Sequence, residues 1–214
     1  MLAFELLPQV DKILYLDADI LVTGSLKNLY QTDIEEKCIA GVQDQGDVQR
    51  DKLHKQRLGL SASAPYINGG VLLMNLKRLR SVASTEKILE YIESMKDVLK
   101  YQDQDVVNGM FADEIKIVPK KYNMSPLYSD KKDFQDYFFK KRKYPTVIHY
   151  MGEKTKPWKE SFYGYKYLRI YYGYCKMAGN EYLDSKLRNA MLLRPIAIVK
   201  QYEKDCGMEV KYEK

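Results

Sequence analysis

Apolar residues run almost without break through Ile13-Leu14-Tyr15-Leu16 and Ile20-Leu21-Val22, interrupted only by Asp17-Ala18-Asp19. Such a run predicts a strand over 12–22, buried on both faces as in a parallel sheet. Cys38 to Val42 predicts a second short strand, ending at Gln43-Asp44-Gln45-Gly46-Asp47, and Tyr66 to Leu76 a third, entered through Gly69 and Gly70. Ile115 to Val118, closed by Pro119, and Thr146 to Tyr150 complete the set. Helices are predicted after Gly24, over 48–60 with a stop at Gly59, over 84–99, from Asp103 onward and over 160–183. In the 84–99 helix Ser84 is the N-cap, and Ile88, Leu89, Ile92, Met95 and Leu99 form the apolar side. Residues 120–144 read as a long, partly ordered connection. Strands alternating with helices imply an α/β fold with a mostly parallel sheet and helices on both faces. Ligands of such sheets sit beyond the carboxyl ends of the strands. Asp17, Asp19, Asp44, Asn68 and His149 all fall at or near predicted strand ends.

Composition narrows the class. At 214 residues, with 45% hydrophobic and 30% charged, the chain is that of a globular protein with a proper core. No apolar stretch approaches the roughly 18 residues of a membrane span, and Met1-Leu2-Ala3-Phe4-Glu5 lacks the basic start of a signal peptide. Cys38, Cys175 and Cys206 are odd in number and far apart, which points to reduced thiols in a cytoplasm. The net charge of +6 is concentrated in Lys140-Lys141-Arg142-Lys143 and in the segment from Lys154 to Arg169, with tyrosines and phenylalanines interleaved. Such a region is either a solvated face or a peripheral contact with an anionic membrane. No nucleic-acid motif accompanies it.

Two like charges two residues apart in an apolar run are unfavourable unless neutralised. A divalent cation does this, since hard cations take carboxylate oxygens. The plainer reading, aspartates in water or paired with lysines at a strand end, stays open on this segment alone. His149 ends an apolar strand ahead of Gly152, Lys156, Pro157 and Trp158. Imidazole with two carboxylates suits manganese or a similar ion and leaves positions for substrate oxygens. Lys156 adds a positive charge for the same anion, an arrangement suited to a diphosphate leaving group. Asn68-Gly69-Gly70 lets backbone approach a ligand closely. Asp103-Gln104-Asp105 puts acidic groups at a helix N-terminus, where capping alone would account for them.

Four motifs in order over residues 5–160 resemble glycosyltransferase family 8, which includes glycogenin and bacterial lipopolysaccharide galactosyl- and glucosyltransferases. They are Leu14 to Ile20, Tyr66 to Leu76, Asp103-Gln104-Asp105 with Asn108, and His149 through Trp158. The resemblance implies a GT-A fold, a UDP-hexose donor, a manganese (or magnesium) cofactor and retention of anomeric configuration. It assigns Asp17, Asp19 and His149 to the metal, with Ala18 in the same donor-binding triplet. Gly152 and Lys156 would contact the diphosphate, and Asn68 and Gly69 would line the ribose and sugar. Asp103, Gln104 and Asp44 would hold the transferred sugar, Gln104 near the reacting face. Gln104 is a poor nucleophile, which favours front-face attack by the acceptor hydroxyl.

Two departures accompany the match. Three residues, Glu153, Lys154 and Thr155, separate Gly152 from Lys156 where family members have two, so Lys154 is a second candidate for the diphosphate contact. The family also carries about 70–90 residues ahead of this point, toward usual single-domain size, which marks the GT-A-like domain as truncated at its N-terminus. The expected layout is a partial transferase domain over 1–160 and a helical, basic-aromatic extension over 161–214. The expected acceptor is a glycan or lipid-linked saccharide, on the cytoplasmic side of a membrane. Two other readings stand beside this one: an inactive fragment or binding relative of the same fold, and a haloacid dehalogenase-type phosphatase. Ile20 and Leu21 disfavour the phosphatase, because its motif continues with glycine and threonine.

Overall fold

The computed structural model describes residues 2–126, 145–152, 156–158, 171, 174, 175 and 177–179. The chain divides into two compact units, 1–124 with 145–149 and 125–144 with 150–214.

In the first unit, β1 (Lys12–Leu16), β4 (Ile67–Asn75), β3 (Ile39–Gln43) and β5 (Ile115–Ile117) form a sheet in the order β1-β4-β3-β5. β4 runs antiparallel to both neighbours, with Leu16 opposite Val71 and Ile39 opposite Met74. Only β3 and β5 are parallel. A second ribbon pairs β2 (Ile20–Val22) with β6 (Val147–His149), placing Ile20 opposite His149. The α/β class is as expected, but among the described strands the sheet is mixed rather than mostly parallel. An unbroken apolar run records burial on two faces, and it does so whichever way the strand points.

Period-two alternation divides the β4 side chains between two cores. Leu72 and Met74 join Ile39, Phe4, Leu76, Leu79, Ile88, Val106 and Phe111, beneath α1 (Ala3–Leu6), α4 (Leu76–Val82), α5 (Thr85–Met95) and α6 (Asp103–Met110). Val71 and Leu73 join Ala40, Val42, Leu29, Tyr122 and Val147 on the other face, where α2 (Lys27–Tyr30) packs. Both faces of the sheet are therefore covered.

Helix starts follow local capping. Asp51 accepts from the His54 amide at 2.9 Å to open α3 (Lys52–Arg57), and Gly59, with φ +82°, follows its end. Ser84 accepts from the Lys87 amide to open α5. In α5 Ile88 is buried and Met95 packs on a core, but Leu89 and Ile92 are exposed; Leu99, expected in the same helix, packs on the core from beyond its end at Met95. The expected apolar side is thus only partly used.

Two further differences bear on the site. The single strand expected over 12–22 is two strands in two sheets, joined by a turn at Ala18–Asp19, and β1 is only half-buried. The carboxylates cannot sit within a ladder between apolar faces, so the chain turns where they occur. The Tyr66–Leu76 run also ends in a helix, α4, because the Asn75 side chain caps the Arg78 amide at 2.9 Å.

In the second unit the rings of Tyr150, Trp158 and Tyr171 cluster. Tyr150 meets Tyr171 edge-on at 5.5 Å and Trp158 at 6.4 Å, and Lys156 Nζ lies 5.8 Å from the Trp158 ring centre. Burial and a hydrogen bond with Cys175 push the Tyr171 phenol up to about 12. The predicted 160–183 helix, most of the 120–144 connection, the basic-aromatic region and Lys154 lie outside the described residues. Among the described residues no helix is long and apolar enough to cross a membrane.

Candidate active site

The break between β1 and β2 sets two carboxylates at a sheet corner. Asp17 follows β1, and its amide donates to the Gly70 carbonyl at 2.9 Å, extending the β1–β4 ladder by one bond. Asp19 precedes β2, whose partner β6 ends at His149. The two register constraints bring three distant residues together. His149 Nε2 lies 3.2 Å from Asp19 Oδ1 and 3.6 Å from Asp17 Oδ2. One ligand atom from each of the three falls within 4.8 Å of the others.

The surroundings fix these groups. His149 is buried, and its Nδ1 is 2.9 Å from Asn123 Oδ1. The Tyr15 hydroxyl donates to Asp17 Oδ1 at 2.8 Å, and that bond with burial pushes the phenol up to about 12, so it stays a donor at neutral pH. Gly70 faces the cluster, where a Cβ would stand 2.2 Å from His149 Cε1 and 2.9 Å from Asp17 Oδ2.

The donor set fits a divalent metal ion. Two carboxylate oxygens inside 4.8 Å repel by about 3 kcal/mol at an effective dielectric near 20, less after solvent screening. A cation reverses the sign of that interaction. Two carboxylates with one imidazole suit manganese or magnesium-like ions better than soft metals. The absence of a side chain at Gly70 keeps the pocket between the ligands clear.

A second polar cluster adjoins the first through β4. Asp44 follows β3, and its amide donates to the Tyr66 carbonyl at 2.8 Å. Its Oδ1 accepts from the Gly46 amide at 2.6 Å, and Oδ2 from Asn68 Nδ2 at 3.0 Å. Gln104, in the first turn of α6, accepts through Oε1 from Asn68 Nδ2 at 3.0 Å and from the Gly69 amide at 2.9 Å. Its Nε2 reaches Asp44 Oδ2 at 3.5 Å. Asp44, Asn68, Gly69 and Gln104 thus share one patch, while Asp103 is exposed at the start of α6 and near enough to add its charge to Tyr15. Gly152 and Lys156 belong to the second unit.

The residue after Gln104 does different work. Asp105 is wholly buried and accepts from His54 Nε2 at 2.7 Å, the Tyr66 hydroxyl at 2.6 Å and the Lys100 and Tyr101 amides at 2.6 Å each. Burial first, then the bond to Asp105, raises the Tyr66 phenol well above its ordinary value. Asp105 ties the loop before α6 to the body, and Gln102 in that loop sits at φ +50°, ψ −124°. Residue type and helix position gave no sign of this hub, nor of Asn123, which lies in a stretch without periodicity.

The family model for glycosyl transferase family 8 matches residues 1–161. The chain belongs to that family. Family 8 membership decides against the phosphatase reading, and the fold is GT-A. Lipopolysaccharide 1,2-glucosyltransferase of Escherichia coli is 36% identical over 159 residues, 71% of this chain and 46% of that protein. The solved galactosyltransferase LgtC, in complex with donor and acceptor sugar analogues, is 32% identical with a TM-score of 0.64, covering 76% of this chain and 60% of that one. An active-site mutant of LgtC with glutamate in place of glutamine aligns at 30% identity and a TM-score of 0.68, covering 84% of this chain and 65% of that one. The chain spans about half the length of the curated relatives it matches.

Proposed function

We propose that this chain provides the catalytic region of a metal-dependent, retaining glycosyltransferase that moves a hexose from a UDP-sugar to a glycan or lipopolysaccharide acceptor. The convergence of Asp17, Asp19 and His149 carries this reading. A divalent cation, manganese or magnesium, bound there would offset the charge of the donor diphosphate. The metal ligands and the Asp44–Asn68–Gln104 cluster are joined through β4, as a donor with its diphosphate at one cluster and its sugar at the other requires. Asn68 and Gly69 would line the donor and Asp103 and Asp44 would hold the sugar, and the diphosphate roles of Gly152 and Lys156 rest on the match to the family motif.

Gln104 supports front-face attack. Its amide oxygen, the only nucleophilic atom it has, already accepts two hydrogen bonds, one from backbone. An acceptor so engaged orients a ligand more readily than it attacks one. In LgtC a glutamine is the site of an active-site mutation, which fits a glutamine in this role.

The name of one relative, an Escherichia coli lipopolysaccharide 1,2-glucosyltransferase, favours surface-saccharide assembly. We place the chain in the cytoplasm, with its 161–214 extension as a basic-aromatic contact for the membrane face. The test is release of free UDP from UDP-glucose or UDP-galactose, with and without Mn²⁺. Mn²⁺-dependent release that disappears in Asp17→Ala supports the proposal. Absence of nucleotide binding in the wild-type chain overturns it in favour of a non-catalytic relative.

A further inference from the structure

We propose that Asn123 is a positioning residue: it fixes which nitrogen of His149 faces the metal and, through Asn68, ties the metal cluster to the sugar-side carboxylate Asp44. The inference rests on the reading of Asp17, Asp19 and His149 as metal ligands. It follows from hydrogen-bond polarity along one buried line.

The line starts from groups with a single possible role. A backbone amide only donates, and the Gly70 amide donates to Asn68 Oδ1 at 3.0 Å. A carboxylate only accepts, and Asp44 Oδ2 accepts from Asn68 Nδ2 at 3.0 Å. The Asn68 amide is thus oriented from both ends. Its Oδ1 also accepts from Asn123 Nδ2 at 2.8 Å, which turns Asn123 Oδ1 toward His149 Nδ1 at 2.9 Å. An amide oxygen cannot donate, so Nδ1 carries the proton.

A neutral His149 ring then has its lone pair on Nε2, the nitrogen that faces Asp19 and Asp17. Bare nitrogen between two carboxylates is unfavourable without a cation and is a ligand with one. Asn123 is fully buried, and its backbone carbonyl accepts from Gln45 Nε2 at 2.6 Å, which holds the main chain that carries the side chain. The polarity of the whole line, from Asp44 to the metal side of the imidazole, is therefore set by Gly70 and Asp44, with Asn123 as the last link. Partners of this kind typically raise metal affinity by orienting the ring and fixing its tautomer.

The test compares the wild-type chain with Asn123→Ala and Asn123→Asp in two measurements. Electron paramagnetic resonance of free Mn²⁺, without nucleotide sugar, gives the metal affinity. Long-range ¹H–¹⁵N spectra of the Zn²⁺-loaded chain, which has two histidines, report the protonated nitrogen of the ring that responds to metal. The expected result is Nδ1–H in the wild type. Asn123→Ala lowers Mn²⁺ affinity about 10–100-fold and loses the fixed Nδ1–H signal. Asn123→Asp keeps an acceptor oxygen beside Nδ1 and therefore keeps the Nδ1–H signal, but it has no donor for Asn68 Oδ1, so the link toward Asp44 is lost. Wild-type binding that Asn123→Ala leaves unchanged, or an Nε2–H ring in the loaded wild type, overturns the role of Asn123 alone. If Asn123→Ala does not fold, loss of the Nδ1–H signal in folded Asn123→Asp, which keeps the acceptor beside Nδ1, overturns it. A wild-type chain that takes up no Mn²⁺ removes the metal-dependent reading, and this proposal with it.

Discussion

Gly70→Ala puts a methyl group into the centre of the site. The new carbon would lie 2.2 Å from His149 Cε1, 2.6 Å from Nδ1 and 2.9 Å from Asp17 Oδ2. Gly70 is not among the residues with positive φ, so its backbone accepts alanine and the effect is steric. Carbon atoms in ordinary contact stand about 3.5 Å apart, so about 1.3 Å must be absorbed. The buried imidazole is held by Asn123 at 2.9 Å, and the Gly70 amide and carbonyl are bonded to Asn68 and Asp17. Either the ring tilts out of line with the carboxylates or β4 shifts. Overpacking of this kind costs about 1–3 kcal/mol, which in a chain of this size lowers Tm by about 2–12 °C. A metal-ligating histidine that loses its orientation typically costs about 10–100-fold in metal affinity, so Mn²⁺ affinity falls by that order while far-UV circular dichroism shows a folded chain. The neighbouring Gly69→Ala is the control. Its Cβ would meet Gln104 Cβ at 3.6 Å, an ordinary contact, and Mn²⁺ binding stays at the wild-type level. Calorimetric titration with Mn²⁺ measures both variants. Wild-type affinity in Gly70→Ala would refute the packing of His149 against β4.

Three further outcomes follow from local geometry. Gln102, exposed and at φ +50°, ψ −124°, has the conformation of the first central residue of a type II′ turn, which glycine dominates. Gln102→Gly therefore stabilises the chain by about 1 kcal/mol, read as a rise in the denaturation midpoint; a fall would show that the side chain matters more than the backbone. The Tyr91 hydroxyl is buried with no hydrogen-bond partner among the described residues, so Tyr91→Phe is neutral or stabilising by up to about 1 kcal/mol, and a clear loss of Tm would reveal a partner. Arg78 Nε and Nη2 bond to the Glu114 carboxylate at 2.6 and 2.8 Å, which holds Glu114 below its ordinary range. A depressed carboxyl stabilises the fold above its unfolded value, about pH 4.3, and that stabilisation is lost as pH falls through the folded value. Arg78→Gln should flatten this part of the acid limb in pH-dependent urea melts, and an unchanged limb would assign it to other groups.

The elements with clean periodicity were legible from sequence. β3 and β4 show nearly unbroken apolar runs, α5 has a Ser84 cap, and α6 opens on acidic residues, so their types and approximate limits could be read. Strand direction could not, because Val71 to Met74 would be equally apolar in a parallel strand. The hub role of Asp105 was hidden for a related reason. An aspartate at a helix start reads as a solvent-facing charge, and only the arrival of His54 and Tyr66 from other segments shows that it is buried. Asn123 had no local signal, since its partners His149 and Asn68 are 26 and 55 residues away.

The antiparallel course of β4 explains why the candidate site is where it is. In a wholly parallel sheet the residues beyond the ends of β1 and β3 would meet the carboxyl end of β4, the end that here leads into α4. Instead the amino end of β4 lies between the carboxyl ends of its two neighbours. Tyr66 then pairs with Asp44 on one side while Gly70 pairs with Asp17 on the other. Alternation along the strand puts Asn68 and Gly70 on the same face, and the two positions need opposite things. At Asn68 the site needs a side chain long enough to reach Asp44, Gln104 and Asn123. Two residues on, it needs no side chain, because the imidazole of His149 fills that space. The Asn-Gly-Gly triplet is therefore less a flexible turn than a strand end shaped to hold two polar clusters a few ångströms apart.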